Sequence, residues 1–104
     1  MIRYNERVII SFADQATEDI YHGSKTRLAR QKCPEQLWLV AQRKLDLLNA
    51  AVSLDSLRSP PGNRLEVLAG DRKGQHSIRI NRQFRICFVW LEHGVSLVEI
   101  VDYH

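Results

Sequence analysis

The sequence has little of what marks a secreted or membrane-spanning protein. Only two of its 104 residues are cysteine, and Cys33 and Cys87 lie too far apart for the paired spacing of zinc ligands. A lone disulfide is not expected in a reducing compartment. No apolar run reaches the roughly 18–20 residues of a membrane helix, and residues 1–11 lack the shape of a signal peptide. We therefore expect a cytoplasmic protein with free thiols and no membrane partner.

Metal-ligand spacing is also missing. The four histidines, at positions 22, 76, 93 and 104, share no ligand spacing on one element, and the acidic residues of the second half are scattered. We predict no metal site and no cofactor. At 104 residues the chain is expected to form one domain, residues 1–104, because about 65% of its unfolded surface would be buried on folding.

Positive charge is concentrated in one segment. Residues 58–85 carry seven basic side chains against two acidic ones, a net charge of +5, whereas the rest carries eight against ten, a net charge of −2. Six of the seven are arginine, whose planar guanidinium suits bidentate phosphate binding. This favours nucleic acid as a partner, and a solvated basic face without a ligand is the alternative.

Hydrophobic patterning predicts helices in the first half of the chain. The apolar run Val8–Phe12 indicates a strand buried on both faces. A short helix follows between a cap at Asp14 and a stop at Gly23, and residues 24–32 are expected to be a polar connection. The most regular pattern is a helical apolar stripe, made by Leu37, Ala41, Leu45, Leu48 and Val52.

Strands dominate the second half. After a loop rich in proline and glycine, four strands are predicted, at residues 64–68, 76–81, 84–91 and 95–101, separated by short turns that imply antiparallel neighbours. The expected fold is α+β: a small, twisted, mainly antiparallel sheet with two N-terminal helices packed on it, in the order β-α-α-β-β-β-β.

Strand alternation brings two arginines together. If Ile78 and Ile86 both face the core, Arg79 and Arg85 lie on the opposite face as direct or diagonal neighbours. Adjacent like charges are unfavourable, so the pair indicates an anion site unless Glu66 or Glu99 neutralises it.

The last three residues are titratable or aromatic. Asp102 and His104 are two apart and are expected to project to one face of a strand, where a carboxylate can orient or charge an imidazole. A frayed tail is the alternative. Together with the arginines, these groups predict cleavage of RNA without a metal, in which the 2′-hydroxyl attacks phosphorus, arginine neutralises the phosphate and an acid protonates the leaving 5′-oxygen.

Four segments of the sequence resemble a known family. Residues 57–66 (LRSPPGNRLE), 70–81 (GDRKGQHSIRIN), 84–88 (FRICF) and 98–104 (VEIVDYH) resemble the HigB-type toxins of the RelE/ParE superfamily. The similarity covers about residues 9–104, and residues 1–8 look like an extension. The resemblance implies the toxin of a type II toxin–antitoxin pair that cuts messenger RNA on the 70S ribosome. A helix-turn-helix antitoxin of the HigA type would restrain it.

The resemblance also implies roles for particular residues. Arg79, Arg85, Asp102, Tyr103 and His104 take the positions of the family's catalytic residues. Some relatives carry a histidine and a lysine where this sequence has Glu66 and Ala69, so those two roles do not transfer, and a slow nuclease is compatible with the sequence. The predicted RNA contacts are Arg64, Glu66, Arg72, Lys73, His76 and Arg82.

Two other functions stay open at this point. One is a non-catalytic protein that binds RNA or the ribosome through the basic segment, and the other is a gyrase poison, since ParE-like relatives share the fold. We expect that deleting His104, or the change Arg85→Ala, abolishes growth inhibition and leaves the fold intact.

Overall fold

The computed structural model describes residues 8–103. Three α-helices come first, α1 (Gln15–Tyr21), α2 (Arg27–Lys32) and α3 (Trp38–Ala50), followed by four strands, β1 (Glu66–Val67), β2 (His76–Arg79), β3 (Phe84–Leu91) and β4 (Gly94–Asp102). The strands form one antiparallel sheet in the order β1-β2-β3-β4. The α+β class and the antiparallel sheet predicted from the sequence are confirmed.

The core lies between the helices and one face of the sheet. Helix α3 contributes Trp38, Ala41, Leu45 and Leu48, as the apolar stripe predicts. Alternate strand residues meet this stripe, among them Ile78, Ile86, Phe88 and Ile100. Val52 was expected in the same stripe, but it is 71% exposed because α3 ends at Ala50. The helices thus pack on one face of the sheet and do not cover the opposite face.

Both ends of α1 follow the sequence prediction. The Asp14 carboxylate caps α1 by accepting a hydrogen bond from the Thr17 backbone N–H at 2.8 Å. Gly23, just beyond the helix, has a φ of +74°, a conformation that glycine adopts without strain.

Two predictions about the first half are wrong. Residues 24–32 are not all connection, because α2 occupies Arg27–Lys32; Ala29 is its one buried residue, so no apolar period signals it. The run Val8–Phe12 is not a strand buried on both faces. It makes two parallel bridges beside β4, Ile9 with Val95 and Phe12 with Val98, and leaves Val8 and Ile10 nearly half exposed. No helix in residues 8–103 is long and apolar enough to cross a membrane.

Candidate active site

Arg79 and Arg85 are direct partners across β2 and β3. The sequence predicts them as direct or diagonal neighbours, and the register confirms this. Both lie on the sheet face opposite the helices, since Ile78 and Ile86, the adjacent pair, are fully buried in the core. Two guanidinium side chains thus start from neighbouring positions on the face that the helices leave uncovered.

Arg85 is held by its surroundings. Only 7% of it is exposed, its Nε–H donates to Ser77 Oγ at 2.7 Å, and its terminal Nη2 donates to the Arg64 carbonyl at 2.5 Å. Glu66 places a carboxylate oxygen 3.8 Å from the same nitrogen, but the Glu66 side chain is about half exposed, which weakens the attraction. The charge of Arg85 is therefore only partly neutralised, and its position is preorganised.

The Arg64 carbonyl owes its direction to an unusual backbone. Arg64 has a φ of +46°. This left-handed conformation is energetically unfavourable for every residue that has a side chain. The preceding residue, Asn63, is fully buried and donates to the carbonyls of Leu57 and Ser59. This anchored turn positions the carbonyl that receives the Arg85 hydrogen bond.

Arg79 is much less constrained. Its Nε–H donates to the Asn81 carbonyl at 3.0 Å, and the side chain is half-buried. Within residues 8–103, no hydrogen bond or ion pair involves its terminal nitrogens. Arg79 can therefore bring two N–H donors to an anion, whereas Arg85 is largely occupied by the protein.

Tyr103 lies beside Arg85, whereas Asp102 lies on the other face of the sheet. The Arg85 guanidinium carbon lies 5.8 Å from the centre of the Tyr103 ring, within the range of a cation–π contact. Asp102 is the register partner of Phe84, on the helix-facing side, and accepts a hydrogen bond from the Gln83 side chain at 3.1 Å. His104 lies outside the described residues, so its predicted role in proton transfer stays a prediction.

Five of the six predicted RNA contacts fall in three places. Arg64 and Glu66 lie beside Arg85. Arg72 lies in the 3-10 turn Gly70–Arg72 and donates to Glu99 and Gln75, both at 3.1 Å. Lys73 and Arg82 are exposed in the turns that flank β2.

His76 belongs to a different surface. It faces the helix side, where its ring stacks on Phe88 with 6.1 Å between ring centres. Burial lowers its pKa, and its buried Nδ1 has no hydrogen-bond partner in the described part of the chain. The ring lines a cavity of about 310 Å³, together with Leu54, Asp55, Arg58, Leu65 and Val67. The structure therefore does not bring His76 together with the arginine pair.

Sequence reasoning named Glu99 as a possible partner of the arginine pair and did not single out Ser77. Ser77, fully buried, holds Arg85, and Glu99 pairs with Arg72 rather than with the arginine pair. The alternation of β2 and β4 placed both residues on this face, but the partner of each depends on contacts between strands and turns. Cys87 is fully buried between them, and burial raises the pKa of its thiol.

Both cysteines are free, as expected, and both are buried. Over residues 8–103, no group of three or more histidine, cysteine, aspartate or glutamate side chains has the geometry to hold a metal ion.

Solved structures share this architecture. Two structures of the YoeB–YefM toxin–antitoxin complex from Staphylococcus aureus match with a TM-score of 0.52 and 20% sequence identity, covering 94% of this chain and 97% of theirs. At that identity the match defines the fold only. The class is that of small α+β proteins in which helices cover one face of a four-stranded antiparallel sheet.

Sequence comparison gives the family. Residues 5–104 match the family of HigB-like toxins, described as RelE-like toxins of the type II toxin–antitoxin system HigB. Toxin HigB-1 of Vibrio cholerae is 39% identical over 95 residues, which are 91% of this chain and 96% of that protein. An uncharacterised protein of Haemophilus influenzae is 38% identical over 65 residues, 62% of this chain and 64% of its own length. The chain belongs to the HigB-like toxin family, and the resemblance noted from its motifs is confirmed.

Proposed function

We propose that this toxin is a metal-independent endoribonuclease that cuts messenger RNA on the 70S ribosome. The observation that carries the proposal is the arginine pair on the sheet face opposite the helices, with Arg85 preorganised by Ser77 and the Arg64 carbonyl and with the terminal nitrogens of Arg79 available to an anion. Fixed cationic donors are suited to the charge that develops on phosphate oxygens in the transition state.

Each remaining group has a role that its position permits. Arg79 neutralises the phosphate, and Tyr103, beside Arg85, stacks on a base or orients the phosphate. We assign proton transfer to His104, as the sequence indicates. Asp102 lies on the helix-facing side of the sheet, so we assign it no direct contact with the reacting atoms.

The proposal is tested by mapping RNA ends after induced expression. The wild-type toxin should create discrete new 5′ ends within coding regions. Arg79→Ala should lower the cleavage rate about 100-fold, the scale of losing one donor to the charge that develops on the phosphate. Arg43→Ala, which removes the same charge from an exposed position on α3, is the matched control and should cut normally. Growth arrest with DNA cleavage complexes and no new RNA ends would instead indicate a gyrase poison, and arrest with neither would indicate RNA or ribosome binding alone.

The chemistry of the ends tests the reaction itself. Attack by the 2′-hydroxyl leaves a 2′,3′-cyclic phosphate and a 5′-hydroxyl, so new ends should ligate to an adaptor only after kinase treatment. A 2′-O-methyl group at the scissile position should block cutting. Ends that carry 5′-phosphate would contradict this mechanism. Comparing purified toxin on the same RNA with and without 70S ribosomes tests the ribosome requirement.

We also propose a helix-turn-helix antitoxin of the HigA type as the partner. The structural relatives are toxin–antitoxin complexes, and this toxin belongs to the same kind of two-component system. The adjacent reading frame, when co-expressed, should restore growth and co-purify with the toxin. Failure of every neighbouring frame to do either would contradict the assignment.

A further inference from the structure

A chain of alternating charges runs from the sheet face to the helices. Arg72 donates to one carboxylate oxygen of Glu99 at 3.1 Å, and the other oxygen of Glu99 lies 3.8 Å from Lys32 Nζ. Lys32 in turn lies 2.7 Å from Asp14, the cap of α1. Each of the four side chains is 24–31% exposed, so solvent screens these contacts less than it would at the surface.

These ion pairs hold the Arg72 guanidinium on one side only. Both hydrogen bonds of its guanidinium, to Gln75 and Glu99, leave from Nη1. Within the described range, no protein acceptor bonds to Nη2 or Nε. Glu99 is the register partner of Cys87, which lies two residues beyond Arg85 on the same face of β3. Arg72 and Arg85 both act electrostatically on the Cys87 thiol, so both guanidiniums lie near that residue.

We propose that Glu99 is a positioning residue that, anchored by Lys32, orients Arg72 as a third guanidinium facing the RNA backbone beside the arginine pair. The inference rests on the proposed function and extends it. The direction in which loss of Glu99 changes RNA binding distinguishes this role from a simple charge effect. Removing a carboxylate from a phosphate-binding face would, by charge alone, strengthen RNA binding. If Glu99 positions Arg72, removing it weakens the site instead.

Single-turnover cleavage of messenger RNA on programmed 70S ribosomes tests the coupling. Arg72→Ala and Glu99→Ala should each slow cleavage about tenfold, and the double variant should be no slower than either, since one interaction is lost in all three. Glu99→Gln keeps an oxygen that accepts from Arg72 and should stay within about threefold of wild type. Glu92→Ala removes the same charge from the exposed turn between β3 and β4 and should have no effect.

A binding assay separates the inference from the proposed function. The probe is a fluorescein-labelled, fully 2′-O-methylated single-stranded RNA, which cannot be cut by 2′-hydroxyl attack. Arg72→Ala should weaken its binding and lower the slope of log Kd against log salt concentration by about 0.7, the value for one phosphate contact on a single strand. Glu99→Ala should lower the affinity in the wild-type background but not in the Arg72→Ala background.

The outcomes are distinct. If wild-type toxin cuts RNA and Glu99→Ala is as fast or faster, or if the two losses multiply in the double variant, the positioning role is refuted while the nuclease stands. If wild-type toxin binds the probe with the expected coupling but never cuts, the nuclease is refuted while the positioning role stands. If the toxin neither binds nor cuts RNA, both are refuted.

Discussion

At the scale of single residues, the two arginines of the candidate site differ in what they do for the fold. Arg85 is 7% exposed and satisfies a buried hydroxyl and a backbone carbonyl. Arg79 is half-buried and, within residues 8–103, makes one hydrogen bond, to a turn carbonyl. An Arg85 variant would therefore lose activity through two causes, a lost catalytic group and a less stable fold. This is contrary to the expectation that Arg85→Ala leaves the fold intact.

Arg85→Ala is predicted to lower the free energy of unfolding by about 2–3 kcal/mol, because it leaves Ser77 Oγ and the Arg64 carbonyl without their donor. Arg79→Ala should cost less than about 1 kcal/mol. Urea unfolding at pH 7 measures both. Equal stability of the two variants would contradict the structural role given to Arg85.

At the scale of elements, the start of α1 is joined to α2 by a charge pair. Partial burial raises the pKa of the Asp14 carboxyl, but hydrogen bonds from Lys32 and Thr17 outweigh this, and its pKa lies below the ordinary value of 3.8. A depressed carboxyl pKa stabilises the fold above the unfolded value, and this contribution is lost as pH falls through the folded value.

Asp14→Asn should be less stable than wild type by about 0.5–1 kcal/mol at pH 7, because asparagine keeps the cap but loses the ion pair with Lys32. The difference should shrink below about pH 4, because the carboxyl of the unfolded chain binds a proton there before the folded carboxyl does, whose pKa lies below 3.8. Urea unfolding of both proteins at pH 7 and pH 3 gives the comparison. A stability difference that does not depend on pH would show that the ion pair with Lys32 is not its cause.

The segment before α1 packs closely on the start of β4. A Cβ added at Gly94 would lie 2.5 Å from Ile10 Cδ1 and 2.9 Å from the Val8 carbonyl oxygen, which accepts a hydrogen bond from Val95. The side chain of Ile10 can turn away, but the backbone carbonyl cannot.

Gly94→Ala is therefore predicted to destabilise the protein by about 1–3 kcal/mol in thermal unfolding. Gly62→Ala is the matched control, because Gly62 has no heavy atom within 4 Å of the added Cβ, and it should be neutral. A Gly94 variant as stable as this control would mean that the segment is not held against β4.

At the scale of the whole molecule, both thiols lie inside the fold. Cys33 is 1% exposed and Cys87 is 0% exposed. Burial raises the pKa of Cys33 to about 11 and also raises that of Cys87. The reactive thiolate is thus scarce as well as inaccessible in the native state.

Labelling with an aromatic disulfide at pH 8 should be slow for both cysteines and should rise in parallel as urea unfolds the protein. Mass spectrometry after trypsin digestion distinguishes the two sites. Fast labelling of one thiol in native buffer would show that part of the fold opens independently.

The amino-acid sequence by itself determined which residues share a face. Alternation in two adjacent strands was enough to place Arg79 and Arg85 on one face as direct or diagonal neighbours, and the apolar period was enough to place most of α3 against the core. These features follow from the local geometry of strands and helices, whose periods can be read from the chain. Helix α2 has one buried residue. Its sequence therefore carries no apolar period that would predict a helix.

Only the tertiary structure decided which groups meet. Burial of Arg85 beside Ser77 and the ion pair of Arg72 with Glu99 depend on strand register, on the strained turn at Arg64 and on where the 3-10 turn at residues 70–72 packs. Contacts between residues 27 positions apart, as in the Arg72–Glu99 pair, have no local pattern in the sequence. They form because the sheet brings distant segments to one surface.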